Sequence, residues 1–377
     1  MIKTELSVGS ACNHVTKNHA AKNNLIARLM RPAMGWIVGS AATLTLVAGS
    51  SLSAQAAGPQ MPVLPNTAAT QLIAQADAYE TLINQGQAQL DNRDYDAALA
   101  TFGEAIDSEP NAARAWVGKG EALYGLRQFD EAAIAFTQAT KLAPDYLYAW
   151  VWLGNAYDDA GQLDQSLASY AEAIAIDSTN PMPYYHRGIA LWYADRSAEA
   201  ETDLKLVTEI MPEFSRGWMW LGRSLEKQEN YTEALAAYEQ ALSIDADLGQ
   251  ALFGKGTTLL EMDRYDEAIA PFDAFLTQMP DSAIAWFYRG NGLFGSDQYA
   301  EALASYDKSI EISADSEGPW YNRGLVLANL GRYDEAIESF NQVLAINPDN
   351  SGARQQIESL EQQQQQANTE SISASRM

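Results

Sequence analysis

Few residues of this chain could carry out covalent or metal chemistry. Cys12 is the only cysteine, and after residue 56 His186 is the only histidine. Any Ser-His-Asp arrangement beyond residue 56 would therefore have to use His186, and one histidine without cysteine makes no ordinary zinc or haem site. We predict no catalytic residue, no metal site and no cofactor, and assign His186 a structural role.

One glycine-rich stretch comes close to a phosphate-binding loop. Gly249 to Gly256 has the pattern G-x-x-x-x-G-K-G, in which Gly256 replaces the Ser or Thr that the loop requires. Such a loop follows a strand, whereas this stretch lies inside a predicted helix, so we exclude nucleotide binding. The acidic groups Asp158–Asp159 and Asp245–Asp247 lack calcium-loop spacing and are interpreted as solvated surface charge.

The charge balance is strongly acidic, with 24 basic and 49 acidic residues and a net charge of −25. Removing residues 1–56 takes away five basic residues and one acidic residue, which leaves 19 against 48 and a net charge of −29. A surface of this sign repels phosphate backbones and anionic lipids. We predict no nucleic-acid partner, while cationic partners remain open.

The first 56 residues have the order of a secretory signal peptide. Residues 1–34 are net basic, residues 35–49 are apolar and small, and Ala54-Gln55-Ala56 forms an A-x-A cleavage pattern. The apolar run is shorter than the roughly 20 residues that span a bilayer as a helix. We predict a signal peptide over 1–56 and export to a periplasm or a thylakoid lumen. The alternative is an uncleaved segment that attaches the protein to a membrane.

An exact internal period organises the rest of the chain. Glycines recur every 34 residues from Gly86 to Gly324, and numbering each one as position 8 gives eight units over residues 79–350 without insertion or deletion. Position 4 is large and mostly aromatic, position 20 is small, position 24 is large, and position 32 is proline in five units. The units are 79–112, 113–146, 147–180, 181–214, 215–248, 249–282, 283–316 and 317–350.

Each recurring residue type has a physical reason. Glycine at 8 and a small residue at 20 let two antiparallel helices approach closely. Side chains at 4 and 24 fill the space between hairpins, and proline at 32 ends the second helix. Aspartate at 18, as in Asp96 and Asp130, lies near the start of the second helix, where a carboxylate is favourable.

The flanks of the repeats follow from the same logic. Residues 57–78 are predicted to be a linker and a helical lead-in. Residues 351–377 hold an amphipathic capping helix, marked by Ala353, Ile357 and Leu360, followed by a Gln-rich tail. We expect the chain from Gln362 onward to be frayed.

These units resemble tetratricopeptide repeats. The third unit shows the family pattern in Trp150, Leu153, Gly154, Tyr157 and Ala173, and the resemblance covers residues 79–350. It implies an all-α, right-handed superhelical solenoid of antiparallel helix hairpins, closed by a C-terminal capping helix. It also implies protein or peptide binding in a concave groove, and no catalysis.

In the family, positions 2, 5, 9, 12 and 13 of each first helix face that groove. The resemblance thus implies an apolar ladder at position 5, with polar side chains at position 9 that hydrogen-bond a peptide backbone. The alternative is that position 5 only packs against adjacent helices. No position 5 is lysine, which argues against clamping of chaperone carboxylates. The predicted protein-binding residues are Asn155, Tyr185, Trp192, Met219, Arg223, Phe253, Phe287, Asn291 and Tyr321.

The sequence therefore favours a monomeric, exported scaffold that binds a protein or peptide client as an adaptor or assembly factor. One alternative is a photosystem-assembly factor of a cyanobacterial envelope or thylakoid lumen, and another is an acidic metal-holding chaperone. The position-5 aromatics predict that replacing Phe253 and Phe287 together by alanine abolishes client binding and leaves the fold intact.

Overall fold

The computed structural model describes residues 67–374. The predicted signal peptide and the first part of the linker lie outside the described residues. Over the described range the regular structure consists of α-helices alone, which confirms the predicted all-α class. None of these helices is long and apolar enough to cross a membrane. Two compact units divide at residues 178 and 179.

The first unit, residues 67–178, holds three helical hairpins. Each hairpin packs on the one that follows it in sequence. Its helices are α1 (Thr67–Asp91), α2 (Tyr95–Ser108), α3 (Ala113–Gly125), α4 (Phe129–Leu142), α5 (Leu147–Asp159) and α6 (Leu163–Ile176).

The second unit, residues 179–374, holds five further hairpins and a last helix that packs on the fifth. Its helices are α7 (Pro181–Tyr193), α8 (Ser197–Ile210), α9 (Ser215–Glu226), α10 (Tyr231–Ile244), α11 (Gly249–Glu261), α12 (Tyr265–Gln278), α13 (Ala283–Gly295), α14 (Tyr299–Ile312), α15 (Glu317–Asn329), α16 (Tyr333–Ile346) and α17 (Ser351–Ala374).

The position-8 glycines make room for the position-24 side chain of the same hairpin. A Cβ atom on Gly154 would lie 2.5 Å from the Tyr170 ring, and one on Gly222 would lie 2.8 Å from the Tyr238 ring. Both rings are fully buried. The glycine is therefore required by an aromatic ring that lies directly on the first helix, because any larger residue would displace that ring.

Every first helix ends in the same tight turn, whose position 15 has a left-handed backbone. Gly161 and Gly331 occupy it in two units, with φ of 76° and 72°. Non-glycine residues pay steric strain in this conformation. The other six units nevertheless use Arg93, Arg127, Asp195, Glu229, Asp263 and Asp297.

The second helices begin one residue before the position-18 aspartates. Asp94, the residue before α2, caps it by accepting a hydrogen bond from the Ala97 N–H at 3.4 Å. Asp96 and Asp130 lie within the first turn of their helices. Position 18 therefore stabilises the helix through its dipole, and the cap itself lies at position 16.

Basic residues at position 7 join three helices in the last hairpins, a feature that the sequence pattern did not predict. The Arg289 guanidinium on α13 donates to Asp273 Oδ1 on α12 at 2.5 Å and to Ser305 Oγ on α14 at 2.7 Å. Arg323 on α15 repeats these contacts with Asp307 and Ser339, at 2.7 Å each. These arginines are thus used between hairpins and belong to the scaffold.

The C-terminal helix corrects one expectation. α17 continues to Ala374 through the Gln-rich segment, so the expectation that the chain frays from Gln362 was wrong. Glutamine and glutamate are good helix formers, and the helix is anchored at its start by Ala353 and Leu360, which are buried against α15 and α16. The expected capping helix is present and longer than predicted.

Candidate client-binding site

The structure places the nine predicted binding residues in two environments. One group is buried between helices, and the other is partly exposed on the first-helix face. The buried group is Asn155, Tyr185, Met219, Phe287 and Asn291, and the partly exposed group is Trp192, Arg223, Phe253 and Tyr321.

The position-5 aromatics take part in the core of the second unit. Phe287 is only 6% exposed and lies against Tyr288, with ring centroids 5.3 Å apart. Phe253 makes edge contacts with Phe272, Phe275 and Tyr288 at 5.4–5.7 Å. Removing a buried phenylalanine side chain costs about 3–5 kcal/mol. The double alanine variant would therefore report on folding before it reports on binding.

Two further position-5 tyrosines are also held by neighbouring rings. Tyr185 meets Phe214 edge to face at 5.0 Å, and burial raises the pKa of Tyr185 to about 12. Tyr321 meets Phe340 at 5.4 Å, and burial raises the pKa of Tyr321 as well. Both hydroxyls therefore stay protonated and neutral at any physiological pH.

The two predicted asparagines are already engaged by neighbouring side chains. Asn155 Oδ1 accepts a hydrogen bond from the buried Tyr170 hydroxyl at 2.7 Å. Asn291 Oδ1 accepts from the Tyr306 hydroxyl at 2.9 Å and from Asn322 Nδ2 at 2.8 Å. Each asparagine thus accepts a hydrogen bond from a buried tyrosine hydroxyl of its own hairpin, as buried polar groups require. Their contact with a client stays a prediction.

Trp192 and Arg223 come together on the face of α7 and α9. The Arg223 guanidinium lies beside two indoles that contact each other, 4.8 Å from the ring centroid of Trp192 and 4.9 Å from that of Trp220. The two indoles meet edge to face at 5.4 Å, and Tyr193 meets Trp220 at 5.9 Å. The Lys227 ammonium lies 4.7 Å from the Trp192 ring. We call these five residues the Trp–Arg patch.

Helix geometry explains why the Trp–Arg patch forms. Trp220, Arg223 and Lys227 follow one another at i, i+3 and i+7, which places them on one face at the end of α9. Trp192 Nε1 donates to the Arg223 carbonyl oxygen at 3.1 Å, and Lys227 Nζ donates to the Trp192 carbonyl oxygen at 3.0 Å. Lys227 also pairs with Asp195. These reciprocal bonds fix the end of α7 against α9.

The Arg223 guanidinium contacts aromatic rings, and its N–H groups make no hydrogen bond to another described residue. Within residues 67–374, its guanidinium has no hydrogen-bond acceptor and no carboxylate at ion-pair distance. Glu226, one turn away, accepts instead from the Tyr238 hydroxyl at 2.7 Å and the Thr257 hydroxyl at 2.8 Å. Burial raises the pKa of Glu226, while the hydrogen bonds from Tyr238 and Thr257 and the positive charge of Arg223 oppose that rise. The Trp–Arg patch thus offers planar N–H donors to a carboxylate or to peptide carbonyl groups.

Sequence reasoning found Trp192 and Arg223 but missed Trp220 and Lys227. A signal was present in α9, whose basic residues Arg216, Arg223 and Lys227 are spaced by seven and four residues. Three cations on one helical face stand out in a chain with 49 acidic residues.

The repeats match known families along most of their length. Sequence models described as tetratricopeptide repeat match residues 83–145, 253–317, 319–350 and 215–248, and a model described as TPR repeat matches residues 154–193. The chain belongs to the tetratricopeptide repeat family. This confirms the resemblance on which the predicted fold class rested.

Individual relatives share parts of this TPR chain. A curated protein of Dictyostelium discoideum, DnaJ homolog subfamily C member 7 homolog, is 32% identical over 83 residues, which are 21% of this chain and 15% of that protein. The chain thus spans a small part of that relative.

Solved structures are similar over about half of the chain. The TPR protein YrrB, whose title names an unusual peptide-binding site, is 25% identical, with a TM-score of 0.46 over 51% of this chain and 98% of that one. Pseudomonas aeruginosa pilF is 17% identical, with a TM-score of 0.49 over 54% of this chain and 93% of that one.

Proposed function

We propose that this TPR protein is a non-enzymatic scaffold that holds a protein client at the Trp–Arg patch. The family is one of interaction scaffolds, which supports the binding role. The observation that carries the choice of site is Arg223, whose guanidinium lies over the rings of Trp192 and Trp220 and has no hydrogen-bond acceptor among the described residues. Aromatic and arginine side chains in such desolvated settings dominate binding energies at protein interfaces.

The chemistry of the patch favours an acidic client segment. Arg223 supplies donors and positive charge, and Lys227 adds a charge that it shares with Asp195. Trp192, which is partly exposed, supplies flat apolar area above the buried Trp220. A peptide with a carboxylate beside an apolar side chain would satisfy both. Positive charge at this place also counters the acidic remainder of the surface, which would otherwise repel such a client.

The test compares Arg223→Met with Lys308→Met. Methionine keeps an unbranched apolar stem against the two indoles but removes the donors. Lys308 lies on α14, outside the patch, in an i, i+3 pair with Glu311. Both variants lose one positive charge. We expect proteins that co-purify with the wild type, counted by mass spectrometry, to be lost about tenfold with Arg223→Met and retained with Lys308→Met.

Equal retention by both variants would count against the Trp–Arg patch as the binding site. Equal loss would indicate a general charge effect.

We further propose that the scaffold works after export, in a periplasm or a thylakoid lumen. The basic residues 1–34, the apolar residues 35–49 and the Ala54-Gln55-Ala56 site support this. Amino-terminal sequencing of the protein from an envelope fraction should find Ala57 first. An intact Met1 in a cytosolic fraction would overturn the proposal.

A further inference from the structure

A second aromatic surface lies on α3 and α5, in the first compact unit. The Trp152 ring stands between two tyrosines, edge to face with Tyr124 at 5.1 Å and with Tyr148 at 6.0 Å. A carboxylate closes each end, Glu121 beside Tyr148 and Asp159 beside Tyr124. We call these five residues the Glu–Trp strip.

Hydrogen bonds within the Glu–Trp strip use up its side-chain donors. The Tyr148 hydroxyl donates to Glu121 Oε1 at 2.6 Å, and the Tyr124 hydroxyl donates to Asp159 Oδ2. The Trp152 indole N–H hydrogen-bonds to the Tyr148 hydroxyl. What the strip presents outward is therefore ring faces and carboxylate oxygens, which accept and do not donate.

The compact unit that contains the Glu–Trp strip is itself negatively charged. Residues 67–178 hold five basic and 17 acidic side chains, a net charge of −12. Arg114, on the same face of α3, is engaged by both carboxylate oxygens of Glu80 at 2.9 and 3.1 Å. Arg114 is thus paired with Glu80, and no cation among the described residues contributes to the electrostatics of Glu121.

The strip is open to a ligand as well as negative. Tyr148 is 38% exposed, and Glu121, Tyr124 and Trp152 are partly exposed. Tyr146 stacks beside Tyr148 at 6.2 Å and extends the aromatic surface. Ring faces attract cations through their quadrupoles, and more strongly so where a carboxylate lies beside the ring.

We propose that the Glu–Trp strip binds an arginine or lysine side chain of an extended, basic segment of a partner protein. A guanidinium would stack on Tyr148 and Trp152 and donate to the oxygens of Glu121, while a second cation along the segment reaches Asp159. This site goes beyond the proposed function, because it selects the opposite charge from the Trp–Arg patch and lies in the other compact unit.

A dication is a poorer occupant. Among the described residues, no three His, Cys, Asp or Glu side chains are grouped so that they could hold a metal ion. Glu121 and Asp159 lie at opposite ends of three rings, whereas a divalent ion needs several oxygens around one point. Rings flanked by single carboxylates match an organic cation better.

The test measures fluorescence anisotropy of a labelled peptide of alternating glycine and arginine, titrated with the full chain. The same peptide with citrulline in place of arginine keeps the shape and loses the charge. We expect the citrulline peptide to bind at least about tenfold more weakly. Equal binding of both peptides would overturn the proposal.

The variants Glu121→Gln and Asp159→Asn locate the site. Both keep the shape of the side chain and an oxygen for the tyrosine hydroxyl. Each should weaken the binding of the arginine peptide about fivefold. The control Glu172→Gln makes the same charge change on the exposed face of α6 and should alter the affinity less than twofold. Identical effects of all three would reduce the binding to net charge and refute the site.

Arg223→Met separates this proposal from the function proposed above. It should leave the arginine peptide unaffected. A loss of peptide binding with Arg223→Met would assign the peptide to the Trp–Arg patch and overturn the role of the Glu–Trp strip.

Discussion

The Trp–Arg patch and the Glu–Trp strip use the same repeat positions with opposite charge. Position 12 of one unit meets the tryptophan at position 6 of the next, as Tyr124 with Trp152 at 5.1 Å and as Trp192 with Trp220 at 5.4 Å. Position 13 of the following unit then contacts the position-12 ring. In the strip this residue is Asp159, which accepts the hydroxyl proton, and in the patch it is Lys227, whose ammonium lies over the indole.

This difference shows that the same repeat positions can carry surfaces of opposite charge, and that one or two side chains set the sign. A phenol at position 12 recruits a carboxylate, and an indole recruits a cation. The scaffold beneath is the same in both cases, since Gly154 and Gly222 lie against the Tyr170 and Tyr238 rings in the same manner.

The largest effect tests whether the two surfaces share one kind of core. Tyr170→Ala and Tyr238→Ala should each lower the free energy of unfolding by about 3–5 kcal/mol, as other buried aromatic residues do. Both rings are fully buried, and each hydroxyl has a polar partner, Asn155 or Glu226. Urea unfolding followed by circular dichroism gives the comparison. If either substitution left the free energy of unfolding unchanged, the two cores would not be equivalent.

The next effect tests whether the two surfaces differ in charge preference. Arg223→Glu should weaken the binding of an acidic client by about a hundredfold, because a carboxylate would replace the guanidinium beside two electron-rich rings. It should leave the arginine peptide within twofold of wild type. Isothermal titration calorimetry with both ligands measures the two affinities. If Arg223→Glu weakened the binding of both ligands equally, the two surfaces would be one site.

A third experiment uses the ionisation of the Glu121 carboxyl group. Glu121 belongs to the Glu–Trp strip and not to the Trp–Arg patch. Burial raises the pKa of Glu121 from 4.5 to about 7, with Asp91 adding to the rise and the Tyr148 hydrogen bond opposing it. The folded state therefore binds a proton that the unfolded state releases between those values, and wild-type stability falls as pH rises from 4.5 to 7.

Glu121→Gln removes this loss of stability. Allowing for the partial exposure of the side chain, the stability of the variant relative to wild type should increase by about 1–2 kcal/mol from pH 4.5 to pH 8. Binding of the arginine peptide to wild type should weaken as the pH is lowered through 7, while binding at the patch stays constant. A flat stability difference across this range would show that Glu121 titrates as an ordinary exposed carboxyl group.

The smallest effects concern the turns that end α5 and α9. Gly161→Ala should cost about 1 kcal/mol, because alanine is strained at a φ of 76°. Glu229→Gly should gain up to about 1 kcal/mol at the equivalent position, where φ is 62°. Thermal unfolding resolves both changes. If both substitutions changed the stability in the same direction, local contacts would outweigh the shared backbone strain.

The sequence predicted the fold because close packing restricts the residues it involves. Gly154 admits nothing larger beneath the Tyr170 ring, so the position-8 period persists through all eight units. The helices, their order and the hairpin pairing follow from that period.

The candidate site was less predictable, because the residues on a helix face do not show which side chains already form hydrogen bonds within the protein. The assignment of Asn155 and Asn291 to a peptide overlooked a signal at position 24. That position is tyrosine in three units with a polar residue nearby on the first helix, and each such pair is hydrogen-bonded. The three pairs are Tyr170 with Asn155, Tyr238 with Glu226 and Tyr306 with Asn291.

The position-7 arginines were missed for a different reason. Arg289 finds its partners Asp273 and Ser305 sixteen residues away on each side, across two separate helices. Only the packing of consecutive hairpins brings those groups together, and no local pattern expresses it.

The pairing of each hairpin with its neighbours in sequence also bears on how the chain acquires its structure. Within each compact unit, helices contact those one or two places away along the chain. Loops that must close before such contacts form are short, so the entropic barrier is low and folding is fast. Structure can start at any hairpin and spread to the next, which lets a partly synthesised or partly translocated chain fold progressively, one pair of helices at a time.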